Sequence, residues 1–287
     1  MNVKLPLFLC FFYCSMLSAQ SKYNTTGLFA YSGALSIPQK YECGPGQLTK
    51  DGSHFILGLT EGDFENVFDL LSNIYLYDLN ASSGTDAIKS FGLPAALDSI
   101  RYFQCSGSKN EQTLVYVVNE MGGWNDNDLG LAEKKADGTY TKTRMLDEIN
   151  DPALSDAYPW VSGDGNRLFY SRDFKLFFTE RSGPEAKFNT PVLVDFEGDV
   201  ELEVVSCWLT PDEKNLFIIA NNQIYKANRK SKTDPFSLPT LFTKEFKDFY
   251  FIAGLSFLGD KKTMYIYYSD EETQEILIYK LKDGKAW

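Results

Sequence analysis

The chain of 287 residues has a single histidine, His54, and five cysteines, none in the paired spacing that tetrahedral zinc ligation prefers. It has no Gly-x-Ser-x-Gly turn, which removes the usual nucleophile elbow of a serine hydrolase. The Ser-x-Asp-x-Gly, Thr-Trp phrase of sialidase repeats is also missing. Positive charge is short: the net charge is −11, or −12 once Lys4 is set aside. That balance excludes nucleic acid and anionic lipid as partners, because both demand clustered Lys and Arg. The basic stretch "NRKSKTD" at 228 to 234 reads as a solvated turn. No segment longer than about ten residues shows capped helical periodicity, so little helix is expected.

Long apolar runs are confined to the beginning of the chain. Lys4 precedes an apolar stretch from Leu5 to Leu17, followed by Ser18-Ala19-Gln20. This reads as a secretory signal over residues 1–19, cut after Ala19, since an apolar core of about 13 residues is too short for a hydrocarbon layer that needs about 20. Cys10 and Cys14 lie inside it without the small-residue context of a lipoprotein site. The expectation is an exported protein, in the periplasm, at the cell surface or outside the cell, with no transmembrane anchor. Cys43, Cys105 and Cys207 remain, an odd number with wide spacing and so no disulfide framework. Cys43 with Cys105 is the candidate pair in an oxidising compartment; otherwise the three are small buried apolar residues.

What the chain does contain is a repeated phrase. "AYPWVSGDGNRLFYS" at 157 to 171 is matched by "CWLTPDEKNLFII" at 207 to 219 and "GQLTKDGSHFILG" at 46 to 58. Weaker copies are "CSGSKNEQTLVYV" at 105 to 117 and "LSFLGDKKTMYIY" at 255 to 267. The turn positions 51, 110, 164, 212 and 260 are separated by 59, 54, 48 and 48 residues, the period of propeller blades rather than of helical repeats. Asp-Gly, Asp-Glu and Asn-Glu supply a residue tolerant of left-handed backbone and a local hydrogen-bonding side chain between two strands. A further strand-like run follows each turn, such as "NIYLYDLN" at 73 and "ILIYKLKD" at 276. Aromatic residues, 15% of the chain, supply wide surfaces for packing sheet on sheet.

Five copies predict an all-β, five-bladed β-propeller over residues 20–287, with blades at 46–95, 96–150, 151–200, 201–245 and 246–287. The fifth copy lacks its outermost strand, and "GLFAYSGAL" at 27 to 35 is an orphan strand. The prediction is that this N-terminal strand completes the last blade and hides two sheet edges. The alternative is a leader over 20–45 and a three-stranded fifth sheet.

Residues 128 to 181 resemble the WD40-like β-propeller repeats of bacterial envelope proteins, the group that includes the TolB propeller. The resemblance lies in Asp137-Gly138-Thr139-Tyr140, Ile149-Asn150 and Tyr158-Pro159-Trp160-Val161-Ser162-Gly163-Asp164-Gly165, with "GGWNDND" at 122 to 128 ahead of them. The second copy departs from it by losing its Asp-Gly. The resemblance implies a binding module or scaffold for a protein or an envelope polysaccharide, with no catalysis, no cofactor and no metal. The loop residues Trp124, Asp126 and Asp128 are the binding candidates. The alternative is a glycoside hydrolase, in which carboxylates such as Glu42, Asp63 and Glu203 meet at the channel mouth as acid and base. Asp126 and Asp128 lack the Gly and distal Glu of a calcium loop, so a polar hairpin tip is the expected reading. The sequons at Asn24 and Asn80 are expected to stay unmodified in a bacterial chain.

Overall fold

The computed structural model describes residues 22–38, 40–61, 71–81, 84–91, 93, 100–120, 127–140 and 144–283. Its first strand is β1 (Phe29–Ala34). A first sheet follows, of β2 (Tyr41–Cys43), β3 (Gln47–Leu48), β4 (His54–Glu61), β5 (Leu71–Asp78) and β6 (Ile88–Ser90). The second sheet holds β7 (Ile100–Gly107), β8 (Thr113–Glu120), β9 (Asn127–Glu133) and β10 (Arg144–Met145). The third is β11 (Asp156–Val161), β12 (Arg167–Arg172), β13 (Lys175–Glu180) and β14 (Val192–Leu193), and the fourth β15 (Val204–Leu209), β16 (Asn215–Ala220), β17 (Gln223–Asn228) and β18 (Thr240–Thr243). The last is β19 (Phe251–Phe257), β20 (Thr263–Ser269) and β21 (Gln274–Leu281), joined by β1. All pairings within the sheets are antiparallel, and the innermost strands touch in the cyclic order β3, β7, β11, β15, β19 and back to β3. This is a five-bladed β-propeller with almost no helix.

Ring closure follows the sequence expectation. β1 pairs with β21 from Phe29↔Leu281 to Ala34↔Leu277, so the fifth blade takes its outer strand from the beginning of the chain. Phe29 is fully buried, and Tyr279 donates from its hydroxyl to the Tyr23 carbonyl at 2.9 Å. Glu245, ahead of β19, accepts from the backbone N–H groups of Leu28 and Phe29. The alternative of a three-stranded fifth sheet is thereby overturned.

The repeated phrase forms the same hairpin in each blade. A hydroxyl two residues before the aspartate donates to its carboxylate: Thr49 to Asp51 at 2.5 Å, Ser162 to Asp164 at 2.5 Å and Thr210 to Asp212 at 2.5 Å. The backbone N–H two residues after the aspartate donates to the same group in Asp51, Asp164, Asp212 and Asp260, at 2.7–3.1 Å. Partial burial pulls these four carboxyls up, and the donors together outweigh it, so each lies below the ordinary carboxylate range. In the second blade Glu111, φ 52°, takes the left-handed position that Gly52 and Gly165 hold in the first and third, and Asn110 at the Asp position is left-handed too, φ 55°.

Between blades the core is aromatic and aliphatic. Trp208, Phe217, Phe242 and Phe257 pack tilted or edge to face with centroids 4.8–6.3 Å apart, joining the fourth blade to the fifth. Cys43, Cys105 and Cys207 are buried free thiols, so the candidate Cys43–Cys105 bridge is not formed. Burial pushes each thiol well above its usual range, leaving it protonated and a poor nucleophile.

Candidate functional site

The axis of the ring is a neck rather than an open channel. The inner strands carry a register shift at corresponding places, between Tyr102 and Cys105, Ala157 and Trp160, Val204 and Ser206, and Ala253 and Ser256. These bulges turn backbone and small side chains toward the axis. In the first blade the inner strand is instead broken at Gly44-Pro45-Gly46, where a Cβ on Gly46 would stand 2.0 Å from the Ile56 carbonyl oxygen. Pro45, Gln47, Gln104, Tyr158, Ser206 and Gly254 are among the residues that line the neck, and the space left is about 10 Å³, room for about one water.

Hydrogen bonds between blades seal that neck. Gln47 Nε2 donates to the Pro159 carbonyl at 3.0 Å, and the Tyr158 N–H donates to Gln104 Oε1 at 2.5 Å. The N–H groups of Val161, Gly254 and Leu48 donate to the hydroxyls of Ser106, Ser206 and Ser256 at 3.0, 3.2 and 3.2 Å. No carboxylate lines the neck among the described residues. Among the described residues no pair of acids faces across the neck. Glu42 is half-buried in β2, and Asp63 lies outside the described residues.

A roomier cleft lies on one end of the ring, where the third, fourth and fifth blades meet. It measures about 210 Å³ and is lined by Phe174, Glu203, Val205, Asn221, Asn222, Tyr250 and Phe251. Two hairpin tips frame it. Asp173 and Phe174 join β12 to β13 with φ of 47° and 56°; Asn221 and Asn222 join β16 to β17 with φ of 50° and 54°. Positive φ at both central residues is the two-residue turn whose twist matches the flanking strands. Asn suits that backbone, whereas an aromatic residue is costly there, about 1 kcal/mol. Phe174 is nevertheless held at the tip and is 60% exposed.

Backbone and amide bonds fix the walls of the cleft. The Val204 N–H donates to the Phe174 carbonyl at 2.7 Å, tying the hairpin of the third blade to the inner strand of the fourth. Asn222 Nδ2 donates to the carbonyls of Phe249 and Tyr250 at 2.6 and 3.3 Å, and the Ile252 N–H donates to Asn222 Oδ1 at 3.1 Å. Asn222 is thus a positioning residue for Tyr250, which is 68% exposed. Glu203 is exposed with no ion pair among the described residues, and Asn221 is exposed too. Two aromatic faces, one carboxylate and one amide therefore converge on a single concave surface.

The opposite end carries the Asp turns and a buried charge cluster. Glu213, fully buried, accepts from Lys232 at 2.6 Å and pairs with Arg167 at 3.2 Å and Arg229 at 3.3 Å. His54, at the start of β4, sits at this end. Ser53 Oγ lies 2.7 Å from its Nδ1, but the neighbouring carboxylate of Asp51 bonds Ser53 and the backbone rather than the imidazole. The order is wrong for a catalytic triad, in which the acid orients the base.

Of the sequence-derived binding candidates, Trp124 and Asp126 lie outside the described residues. Asp128 is half-buried in β9, paired with Val118, and is not part of the cleft. Sequence reasoning passed over Phe174, Asn221 and Tyr250. The only signals for them were the two-residue tips Asp173-Phe174 and Asn221-Asn222, each set between runs that alternate as strands.

No family model matches the sequence, and no curated protein matches it. Solved structures do resemble its fold. A puromycin hydrolase superposes with a TM-score of 0.50 at 13% identity, covering 90% of this chain and 39% of its own. A puromycin-hydrolyzing peptidase of Mycobacterium tuberculosis gives 0.49 at 15%, with 88% of this chain and 38% of its own. Prolyl oligopeptidase B of Galerina marginata gives 0.48 at 12%, with 82% and 32%. The chain thus spans under two fifths of the length of these structures, and at such identity the likeness shows the fold alone. The expectation of a non-catalytic envelope scaffold is corrected on one count: the solved structure that this fold matches at a TM-score of 0.50 is a hydrolase.

Proposed function

We propose that this propeller is a substrate-holding unit of a peptide-hydrolysing system, and that its cleft takes a small peptide-like molecule with a free amino terminus and an aromatic side chain. The observation that carries the proposal is the convergence of Phe174, Tyr250, Glu203 and Asn221 on one 210 Å³ cleft. The exposed aromatic faces accept a ring, Glu203 receives the ammonium, and the Asn221 amide meets a peptide group. The substrate class agrees with the peptidases whose propellers share the fold. We further infer that the Tyr158-Pro159 to Gly165 phrase marks descent from the TolB-type repeat group, and that residues 1–19 direct export, which fractionation of cells expressing the full chain would check.

The test is calorimetric titration with phenylalaninamide and with N-acetylphenylalaninamide. Binding of the first and at least fivefold weaker binding of the second support the proposal. Equal affinity, or no loss on Glu203→Gln, overturns it.

A further inference from the structure

The chain that leads from the third blade into the fourth carries apolar surface and negative charge toward the cleft. It leaves the edge strand β14, whose Val192 and Leu193 are exposed, passes beside Phe236 of the fourth blade and reaches Glu203 on the cleft wall. Asp195, Glu197, Asp199, Glu201 and Glu203 are all exposed, whereas Val194, Phe196, Val200 and Leu202 between them are half-buried. No lysine or arginine occurs between Lys187 and Lys214. Among the described residues these five carboxylates make no hydrogen bond or ion pair.

Exposed apolar side chains mark the same path. Leu238 of the fourth blade, 47% exposed, lies against Gly198, where an added Cβ would stand 3.4 Å from its methyl carbon. Val192 and Leu193 stand at the outer end, and Phe174 and Tyr250 at the cleft. Apolar groups strung along one face and rimmed by charge are the mark of an interaction surface. Its backbone is also fixed in advance. The Phe236 N–H donates to the Asp195 carbonyl at 2.9 Å, the Glu197 N–H to the Phe236 carbonyl at 2.7 Å, and the Val204 N–H to the Phe174 carbonyl at 2.7 Å. A surface held in this way loses little freedom when it is covered. Its charge selects the occupant: a second copy, with a net charge of −11, is repelled, and a cationic chain is attracted.

We propose that the cleft and this connection form one docking surface for a linear cationic peptide with an aromatic amino-terminal residue. The inference rests on the reading of the cleft given above and names the class of peptide that the cleft takes. The first residue sits between Phe174 and Tyr250 with its ammonium at Glu203. Lys or Arg side chains further along the peptide reach Glu201, Asp199 and Glu197, and aliphatic residues between them meet Leu238. Long basic side chains suit such a face, because their methylene stems cover apolar surface while their charged ends stay in water.

Calorimetric titration of the full chain with the amides of Phe-Lys-Leu-Lys-Leu-Lys and Phe-Gln-Leu-Gln-Leu-Gln tests this. The lysine peptide should bind about tenfold tighter, as three exposed charge pairs of modest strength together supply. That gain should collapse at about 1 M salt, where the screening length is about 3 Å. Asp199→Asn combined with Glu201→Gln should remove most of the gain. Glu271→Gln combined with Glu272→Gln removes the same charge from an exposed turn of the fifth blade and should cost less than about twofold. Phenylalaninamide, titrated in parallel, reports the cleft alone, so its failure to bind overturns the cleft reading. Equal affinity of the two hexapeptides, or equal losses in the two double variants, overturns the docking surface. So does a dimer in sedimentation that Asp199→Asn with Glu201→Gln dissociates, since the face would then belong to a second copy.

Discussion

The two ends of the same strands are built on opposite principles. At the end bearing the Asp turns, hydroxyls and backbone N–H groups satisfy each carboxylate, and Glu213 is buried under three cations. At the other end the third and fourth blades have hairpins two residues long, an aromatic sits in left-handed backbone, and Phe174 and Tyr250 face water. At one end the turn carboxylates are satisfied in a pattern that recurs around the ring; the other is specific to three blades and holds a residue at a conformational cost. Strain and exposed apolar surface persist where the surrounding structure over-determines them, which is where function is sought.

The contrast breaks most sharply at Glu213. Glu213→Ala strands Arg167, Arg229 and Lys232 around an empty position and should cost about 3–5 kcal/mol, read by urea unfolding. A loss under 1 kcal/mol would mean that the satisfied end is not the stabilising one. Phe29→Ala in the closing strand opens the seam between β1 and β21, with an expected loss of about 3 kcal/mol. Unchanged stability would show that the fifth blade does not need its borrowed strand.

A smaller effect is expected from the turns. Asp212→Ala removes acceptors for the Thr210 hydroxyl and the Lys214 N–H and should cost about 1 kcal/mol at pH 7. Because Asp51, Asp164, Asp212 and Asp260 are held below their unfolded range, their contribution is full above the unfolded value near 3.9. It is lost as pH falls through the lower folded values. Acid unfolding followed by circular dichroism should show this limb, and Asp212→Asn should flatten it. Stability that rises on acidification would contradict the assignment.

The smallest effect has the opposite sign. Phe174→Gly relieves left-handed backbone strain and should leave stability equal or raise it by up to about 1 kcal/mol, while weakening phenylalaninamide binding severalfold. A destabilised variant with intact binding would reverse the roles given to the two ends.

The Asp turns were readable because their chemistry is local: Thr210, Asp212 and Lys214 satisfy one another within five residues. The closing strand was readable too, since "GLFAYSGAL" had β character and no partner of its own nearby. The cleft was not. Phe174, Asn221 and Tyr250 are remote in sequence and look like ordinary turn residues, and Glu203 was named only as one of several candidate carboxylates among 39 acidic residues. Nor was the closing of the axis, which register shifts in four inner strands and hydroxyls from three of them bring about.

Periodic turn chemistry and strand alternation thus determined that this chain makes five hairpin-bearing sheets, since each rests on interactions within a few residues. Which side chains meet at the cleft, and whether the axis stays open, were decided only when the sheets packed into a ring. Those outcomes depend on how far each inner strand is bulged and how neighbouring blades interlock, and no short stretch of residues encodes distances between blades.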